Sequence, residues 1–119
     1  WVHQLGYVDS RDLPALYRSA SVTVFPSIYE GFGLPILESL ASGTPVITSH
    51  TSSMPEVGGN ATIYIDPYNS RDISEALRGL LGSSSLQKQL RDCGIERARQ
   101  FTWEKAARET LNIFKNVIN

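Results

Sequence analysis

The chain has 119 residues, which suffices for one domain with a hydrophobic core but falls short of the usual two-domain enzyme. Hydrophobic residues make up 41% and charged residues 19%, and the formal net charge is −1. This near-neutral balance argues against nucleic acid or an anionic membrane surface as the main partner.

The chain begins Trp1-Val2-His3, inside an apolar segment, so we expect it to be a fragment of a longer protein. No apolar run is long enough to span a bilayer, and no signal-peptide pattern opens the sequence. The single Cys93 cannot form an internal disulfide. These features predict a cytoplasmic protein.

Short β-branched or apolar runs alternate with segments of helical period, an order typical of βαβ units on a parallel sheet. The predicted fold class is therefore α/β, with a Rossmann-like parallel sheet flanked by helices. The predicted strands are Val2–Leu5, Val22–Phe25, Pro45–Thr48 and Thr62–Ile65. The predicted helices are Asp12–Ala20, Leu34–Ser42, Ser70–Leu81, Ser84–Gln100 and Trp103–Ile118.

Capping signals set several of these boundaries. Pro35 near the start and Gly43 just past the end bound the second helix. Ser84 with Gln87 forms a capping-box pattern, and Thr102 is an expected N-cap. The hydroxyl run 51–53 precedes a further helix start at Pro55-Glu56, and we favour a capping role for it over a binding role.

The last predicted helix carries an apolar stripe that needs a surface to cover. We favour packing on the domain's own sheet, and the alternative is contact with a separate partner domain. The stripe consists of Trp103, Ala106, Ala107, Leu111, Phe114 and Ile118.

The loop between Phe25 and Leu34 is the most informative segment. It follows a strand and precedes a helix, and ligands in open α/β sheets bind beyond the carboxyl ends of strands. The helix N-terminus offers free N–H groups and partial positive charge to a phosphate or sugar oxygen, and Gly31 and Gly33 allow close backbone approach. Two carboxylates, Glu30 in the loop and Glu38 one turn into the helix, suit sugar and ribose hydroxyls beside a phosphate.

Each glutamate alone has an ordinary structural explanation. A loop glutamate is commonly solvated, and a glutamate early in a helix complements the helix dipole. Their combination at this spacing after a strand favours the functional interpretation.

The pattern Glu30-Gly-Phe-Gly-Leu-Pro-x-x-Glu38 resembles the donor-site signature of retaining GT-B glycosyltransferases of family 4, the group 1 glycosyl transferases. The resemblance extends over nearly the whole chain. It includes Gly6-Tyr7-Val8, Ala41-Ser42-Gly43-Thr44-Pro45-Val46-Ile47, Pro55-Glu56-Val57, Gly59-Asn60-Ala61 and Asp66-Pro67.

The resemblance implies a nucleotide-sugar-binding, C-terminal domain spanning residues 1–119. Glu38 would bind the ribose hydroxyls, and Glu30, the catalytic candidate, would contact hydroxyls of the transferred sugar. Backbone groups of Gly31, Phe32, Gly33 and Leu34 would hold sugar and phosphate oxygens, and Tyr7 and Val8 would lie against the nucleobase. The donor would be a nucleoside-diphosphate sugar of the GDP-mannose or UDP-sugar type, and the acceptor a glycan or lipid-linked molecule.

The same resemblance places the cationic residues that neutralise the diphosphate upstream, and the acceptor site in a missing N-terminal domain; neither Arg11 nor Arg18 matches those cations. The isolated fragment is thus expected to be inactive. Any peripheral contact with the inner face of a membrane would come only through that domain.

The isolated His3 and His50 and the lack of an Asp-x-Asp pair predict no metal and no other cofactor.

Two other functions stay open: a non-catalytic nucleotide-sugar-binding module and a GT-B-type sugar-nucleotide epimerase. Two further α/β classes are excluded. A dinucleotide-binding fingerprint requires a third glycine where Ile36 stands, and a phosphoacceptor receiver requires an aspartate where Pro26-Ser27 follow the strand.

Overall fold

Three parallel strands form the sheet of this protein, as seen in a computed structural model that describes residues 1–118. β1 (Thr23–Phe25) pairs with β2 (Val46–Ser49), and β2 pairs with β3 (Thr62–Ile65). Every residue of β2 is buried, as expected for a central strand covered on both faces. The predicted α/β class is confirmed.

Six helices surround or extend from this sheet within residues 1–118. They are α1 (Leu13–Ser19), α2 (Leu34–Ala41), α3 (Met54–Gly58), α4 (Ser70–Leu81), α5 (Ser84–Ala98) and α6 (Trp103–Ile118). The predicted helices are all present, with ends that differ by at most two residues, as frayed helix ends commonly do.

The core lies in two clusters on opposite faces of the sheet. Ile36 and Leu40 of α2 pack with Val46 on one face, together with residues of α3. Ile47 and Ile65 pack with Leu80 of α4 on the other face. The alternation of Val46 and Ile47 follows from the two-residue period of a strand.

Helix α5 closes one side of the domain by packing on α2 and α4. The two helices approach each other closely at Gly94, where an added Cβ would lie 2.9 Å from Leu40 Cδ2. A side chain at this position would push α5 away from α2, so Gly94 helps to fix the position of α2 against the sheet.

The predicted strand Val2–Leu5 is wrong. Residues 1–6 are irregular and exposed, and Trp1 and Val2 are almost fully accessible to solvent. The apolar pattern indicates a tendency toward extended structure, but a strand also needs a pairing partner. Within residues 1–118, the strand bonds of β1 all go to β2.

The favoured packing of α6 on the domain's own sheet is also wrong. None of the residues of α6 is buried, and the domain measures 57 Å along its longest axis against 30 Å along the other two. The apolar stripe itself is present, with Trp103 and Phe114 exposed. The sheet faces are already covered by the other helices, so α6 has no surface left there.

The N-cap predicted for α6 is confirmed, and the N-cap of α5 lies one residue earlier than predicted. Ser83, not the predicted Ser84, is the N-cap of α5, because it has extended backbone geometry and its hydroxyl accepts from the N–H of Leu86 at 3.3 Å. Thr102 caps α6 as predicted, accepting from the N–H of Lys105 at 3.1 Å.

No helix within residues 1–118 is long and apolar enough to cross a membrane.

Candidate functional site

The carboxyl ends of the three parallel strands meet at one edge of the sheet, where ligands of this fold class bind. β1 leads into the loop 26–33, and β2 leads into the loop 50–53. Hydrogen bonds join these two loops directly. The edge is therefore a connected surface made by two separate crossovers.

The N-terminus of α2 faces this edge with unpaired backbone donors. Gly33 is the N-cap, with φ 97° and ψ 45°, and its carbonyl accepts from the N–H of Ile36 at 3.0 Å. Within residues 1–118, the N–H groups of Phe32, Gly33 and Leu34 have no hydrogen-bond partner. Together with the helix dipole, these donors favour an anionic or oxygen-rich ligand.

The two glycines of the loop are not equivalent. A Cβ at Gly33 would require a left-handed backbone and would lie 3.3 Å from Ile36 Cδ1. At Gly31 the φ is not positive, and an added Cβ would meet nothing within 4 Å. The turn into α2 therefore requires glycine at position 33, while position 31 only leaves open space beside the loop.

Glu30 is half-buried, and its carboxylate is held within the loop. Ser27 Oγ donates to Glu30 Oε1 at 2.9 Å, so the carboxylate lies back against the end of β1. Within residues 1–118, Glu30 Oε2 has no hydrogen-bond partner and can accept from a ligand hydroxyl.

The hydroxyl run 51–53 binds this loop instead of capping α3. Ser53 is the N-cap of α3 by position, but its side chain makes no cap hydrogen bond. Thr51 Oγ1 donates to the carbonyl of Ile28 at 3.0 Å, and Ser52 Oγ and Ser53 Oγ donate to the carbonyl of Glu30 at 2.9 and 3.0 Å. The predicted capping role is wrong, because these hydroxyls face the neighbouring crossover.

Glu38 lies on α2 one turn beyond the loop, with its side chain exposed. Tyr17 Oη of α1 donates to Glu38 Oε2 at 3.3 Å. Burial raises the pKa of Tyr17, and the negative charge of Glu38 raises it further. Tyr17 lies within the predicted helix Asp12–Ala20, but no local spacing predicts its contact with Glu38, which is 21 residues away in sequence.

Phe32 packs against residues from the end of α5 and the segment after it, to which no sequence motif assigned a role at this site. Its ring meets Phe101 edge to face, with centroids 5.9 Å apart. The guanidinium of Arg97 lies 5.0 Å from the Phe101 centroid and donates from Nε to the carbonyl of Val57 at 3.0 Å. No sequence spacing links these positions, since they come from three distant segments.

Tyr7 and Val8 lie in an open depression of about 610 Å³ between the N-terminal segment and α1. Tyr7 is 92% exposed. Within residues 1–118, no hydrogen bond joins Tyr7 or Val8 to the loop that holds Glu30. Arg11 beside them pairs with Asp9 at 3.0 Å and holds the pKa of that carboxyl below its usual range.

The imidazole Nδ1 of His50 lies 2.9 Å from the carbonyl oxygen of Ile65. In the part of the chain that the structure describes, no three His, Cys, Asp or Glu side chains are grouped closely enough to hold a metal ion. The polar groups of the loops after β1 and β2 are backbone N–H groups, hydroxyls, the Glu30 carboxylate and the His50 imidazole.

A parallel sheet covered on both faces, with a glycine-bounded helix N-terminus at its carboxyl edge, defines a Rossmann-like domain. Comparison with known families gives the identity more narrowly. The chain belongs to the glycosyl transferases group 1, because that family matches residues 2–101. The resemblance to the group 1 glycosyl transferases is confirmed.

Named relatives agree with this assignment. The chain is 43% identical over 115 residues to O-antigen chain mannosyltransferase B of Escherichia coli, covering 97% of this chain and 30% of that protein. It is 35% identical over 121 residues to the MMP alpha-(1->4)-mannosyltransferase of Mycolicibacterium hassiacum, covering 98% of this chain and 29% of that protein. The chain thus spans less than a third of the length of these curated relatives.

Solved structures show the same fold. Sucrose-phosphate synthase from Thermosynechococcus elongatus aligns with a TM-score of 0.85 at 28% identity, covering 96% of this chain and 29% of that chain. The C-terminal domain of the group 1 glycosyl transferase LpcC from Francisella tularensis aligns with a TM-score of 0.71 at 30% identity, covering 81% of this chain and 51% of that chain. The domain has the architecture of the C-terminal half of a GT-B glycosyltransferase.

Proposed function

We propose that this chain is the nucleotide-sugar-binding domain of a retaining hexosyltransferase. The observation that carries the proposal is the placement of two carboxylates near the unpaired N-terminus of α2, with Glu30 in the loop before it and Glu38 one turn into the helix. This edge combines donors for phosphate oxygens with acceptors for hydroxyls, as a nucleoside-diphosphate sugar requires.

Each group at the edge has a distinct role in this proposal. The N–H groups of Phe32, Gly33 and Leu34 hold oxygens of the sugar and the distal phosphate, with Gly31 leaving room beside them. Glu30 accepts hydrogen bonds from hydroxyls of the transferred sugar.

The nucleoside lies toward α1. Glu38 accepts from the ribose hydroxyls, and Tyr17 keeps one of its oxygens occupied. Tyr7 and Val8 contact the nucleobase in the depression beside α1. The contact between Tyr17 and Glu38 supports placing the nucleoside near α1, because it links the helix that borders the depression to the proposed ribose carboxylate.

The sugar is mannose or a related hexose, carried on GDP or UDP, and the acceptor is a glycan or a lipid-linked molecule. The names of two relatives, both mannosyltransferases, support a mannosyl donor. Donor binding needs no metal, because the N-terminus of α2 supplies positive charge beside the diphosphate.

A second domain of the same enzyme completes the active site. The exposed stripe on α6 and the exposed N-terminal segment support this proposal, since surfaces of this kind mark contacts with other protein surfaces. The acceptor site and the cations beside the diphosphate belong to segments outside this chain. The chain alone is therefore expected to bind donor weakly and to transfer no sugar.

The chemistry follows from charge. As the glycosidic bond breaks, negative charge grows on the diphosphate and positive charge on the sugar ring. The α2 N-terminus stabilises the leaving phosphate, and the Glu30 carboxylate strengthens its hydrogen bonds to sugar hydroxyls as the ring becomes electron-deficient. The anomeric configuration is retained in the product.

Isothermal titration calorimetry of the intact enzyme tests these roles. Glu38→Ala should weaken binding of UDP or GDP, while Glu30→Ala should weaken binding only when the sugar is attached to the nucleotide. Glu75→Ala is the matched control, because Glu75 is an exposed glutamate on α4 that pairs with Arg71. If both site variants bound every nucleotide sugar as the control does, the donor-site proposal would be wrong.

A further inference from the structure

We infer that Ser52 is a positioning residue for Glu30; this inference rests on the proposed function of that carboxylate. Ser52 lies in the crossover after β2, far from Glu30 in sequence, and contacts its backbone directly. Its hydroxyl determines the direction in which the Glu30 side chain leaves the loop.

The contact is reciprocal. Ser52 Oγ accepts from the N–H of Glu30 at 3.2 Å and donates to the carbonyl of Glu30 at 2.9 Å. A hydroxyl has one donor and two acceptor sites, so one serine can satisfy both backbone groups of one residue. Since these groups belong to the two peptide planes that flank the Cα of Glu30, the bonds restrain both backbone dihedrals and therefore the Cα–Cβ direction.

Ser52 adopts an unfavourable backbone conformation to make this contact. Its φ is 56°, and it is the only non-glycine residue within residues 1–118 with a positive φ. A left-handed conformation costs an L-residue about 1–2 kcal/mol. The surrounding bonds offset that cost, and such conformations concentrate at functional sites.

The two neighbouring hydroxyls provide an internal comparison. Ser53 Oγ donates to the same carbonyl of Glu30 at 3.0 Å but makes no bond to its N–H. Thr51 Oγ1 reaches the carbonyl of Ile28, two residues earlier. Ser52 alone of the three restrains both sides of Glu30, so its loss should disturb the carboxylate most.

Among the described residues, a hydrogen bond to one of its two oxygens holds the Glu30 carboxylate. Ser27 fixes Glu30 Oε1, and the backbone bonds from Ser52 set the point from which the side chain starts. The remaining oxygen is then presented in a defined direction. Releasing the backbone would leave the carboxylate bound to Ser27 but shifted relative to the N–H groups at the start of α2.

Steady-state kinetics of Ser52→Ala in the intact enzyme tests the inference. Alanine removes the hydroxyl and keeps a similar backbone cost, so we expect kcat at saturating donor to fall about tenfold, the equivalent of one or two hydrogen bonds. The KM for donor should change much less. Ser53→Ala, the matched control, should lower kcat by less than about threefold.

A double-mutant cycle separates this role from a general structural one. In a Glu30→Ala background, Ser52→Ala should lower kcat by less than about twofold, because its effect passes through Glu30. If Ser52→Ala lowered kcat a further tenfold in the Glu30→Ala background, the inference would be overturned. Ser52→Gly also lacks the hydroxyl, but glycine adopts the left-handed conformation without the backbone cost. It should fold at least as well as Ser52→Ala and show the same loss of kcat. Normal turnover in Ser52→Gly would exclude loss of the hydroxyl as the cause.

The proposed function and the positioning role fail in different ways. If Glu30→Ala leaves turnover and donor binding unchanged, the donor-site proposal fails and the role of Ser52 with it. If Glu30→Ala lowers turnover while Ser52→Ala and Ser52→Gly behave as the parent enzyme does, only the positioning role fails.

Discussion

The two glutamates of the candidate site are held in different ways. Glu38 is one residue of a regular helix, and its side chain contacts Tyr17 of a neighbouring helix. Glu30 lies in an irregular loop whose backbone is held by hydroxyls from the crossover after β2. The helix supplies a direction for Glu38 from local structure alone, whereas Glu30 depends on a second segment of the chain.

This difference leads to different expectations for the two carboxylates in catalysis. A precisely held group beside the reacting sugar can strengthen its contacts in the transition state, while a group at the remote ribose contributes equally before and during the reaction. The interaction with the reacting sugar therefore affects turnover, and the interaction with the ribose affects donor affinity.

The largest effect is expected for Glu30→Gln in the intact enzyme. Removing a charge that stabilises the transition state should lower kcat by about 100-fold, by analogy with other preorganised polar groups. Steady-state kinetics at saturating donor measures this loss. If Glu30→Gln altered only the apparent donor affinity, the roles of the two glutamates would have to be exchanged or abandoned.

Glu38→Gln should act on affinity. Replacing a charged acceptor weakens its hydrogen bonds to the ribose hydroxyls, so the Kd for nucleotide should rise about tenfold while kcat at saturation stays near that of the parent. Calorimetry with UDP and GDP gives the Kd. A fall in saturated kcat comparable with that of Glu30→Gln would contradict the assignment.

The glycine pair tests the loop that separates the two carboxylates. Gly33→Ala should destabilise the domain by about 1–2 kcal/mol, because residue 33 is left-handed at φ 97° and its Cβ would crowd Ile36. Gly31→Ala should change stability by less than about 0.5 kcal/mol, since its Cβ would point into open space. Thermal unfolding of both variants measures the contrast, and equal melting temperatures would refute it.

The smallest effect is expected for Tyr17→Phe, which removes a single hydrogen bond to Glu38. Nucleotide affinity should fall about threefold, the size of a typical single hydrogen bond. Turnover at saturating donor should stay unchanged. A loss of turnover without a loss of affinity would place Tyr17 in the chemical step and contradict the proposed division.

Tyr17 should also make the folding stability of the protein decrease at alkaline pH. Burial and the charge of Glu38 raise its pKa above the ordinary value of 10.0, so the folded state holds the phenol proton longer than the unfolded chain does. The associated stability is complete below about pH 10 and is lost as the pH rises through the folded pKa. Denaturant unfolding across this range should show a steeper decline for the parent than for Tyr17→Phe.

Local chemistry was enough to predict several features of this protein. The period of the apolar residues predicted five of the six helices within residues 1–118, and three of the four proposed strands are present, because a helix or a buried strand imposes its own spacing on the sequence. Pro35 with the flanking glycines located α2, and the glutamates with that helix start predicted the family that the comparisons confirmed. The roles of Glu30, Glu38, Tyr7 and Val8 stay predictions.

Other features depended on which segments come together in space. The pattern at Val2–Leu5 could not show that a strand partner was absent, and the stripe on α6 could not show that the sheet was already covered. Likewise, a run of three hydroxyls is compatible with capping or with bridging. Only the meeting of the loops after β1 and β2 directs Ser52 to Glu30, because hydrogen bonds between distant segments depend on strand order and pairing, which no local pattern encodes.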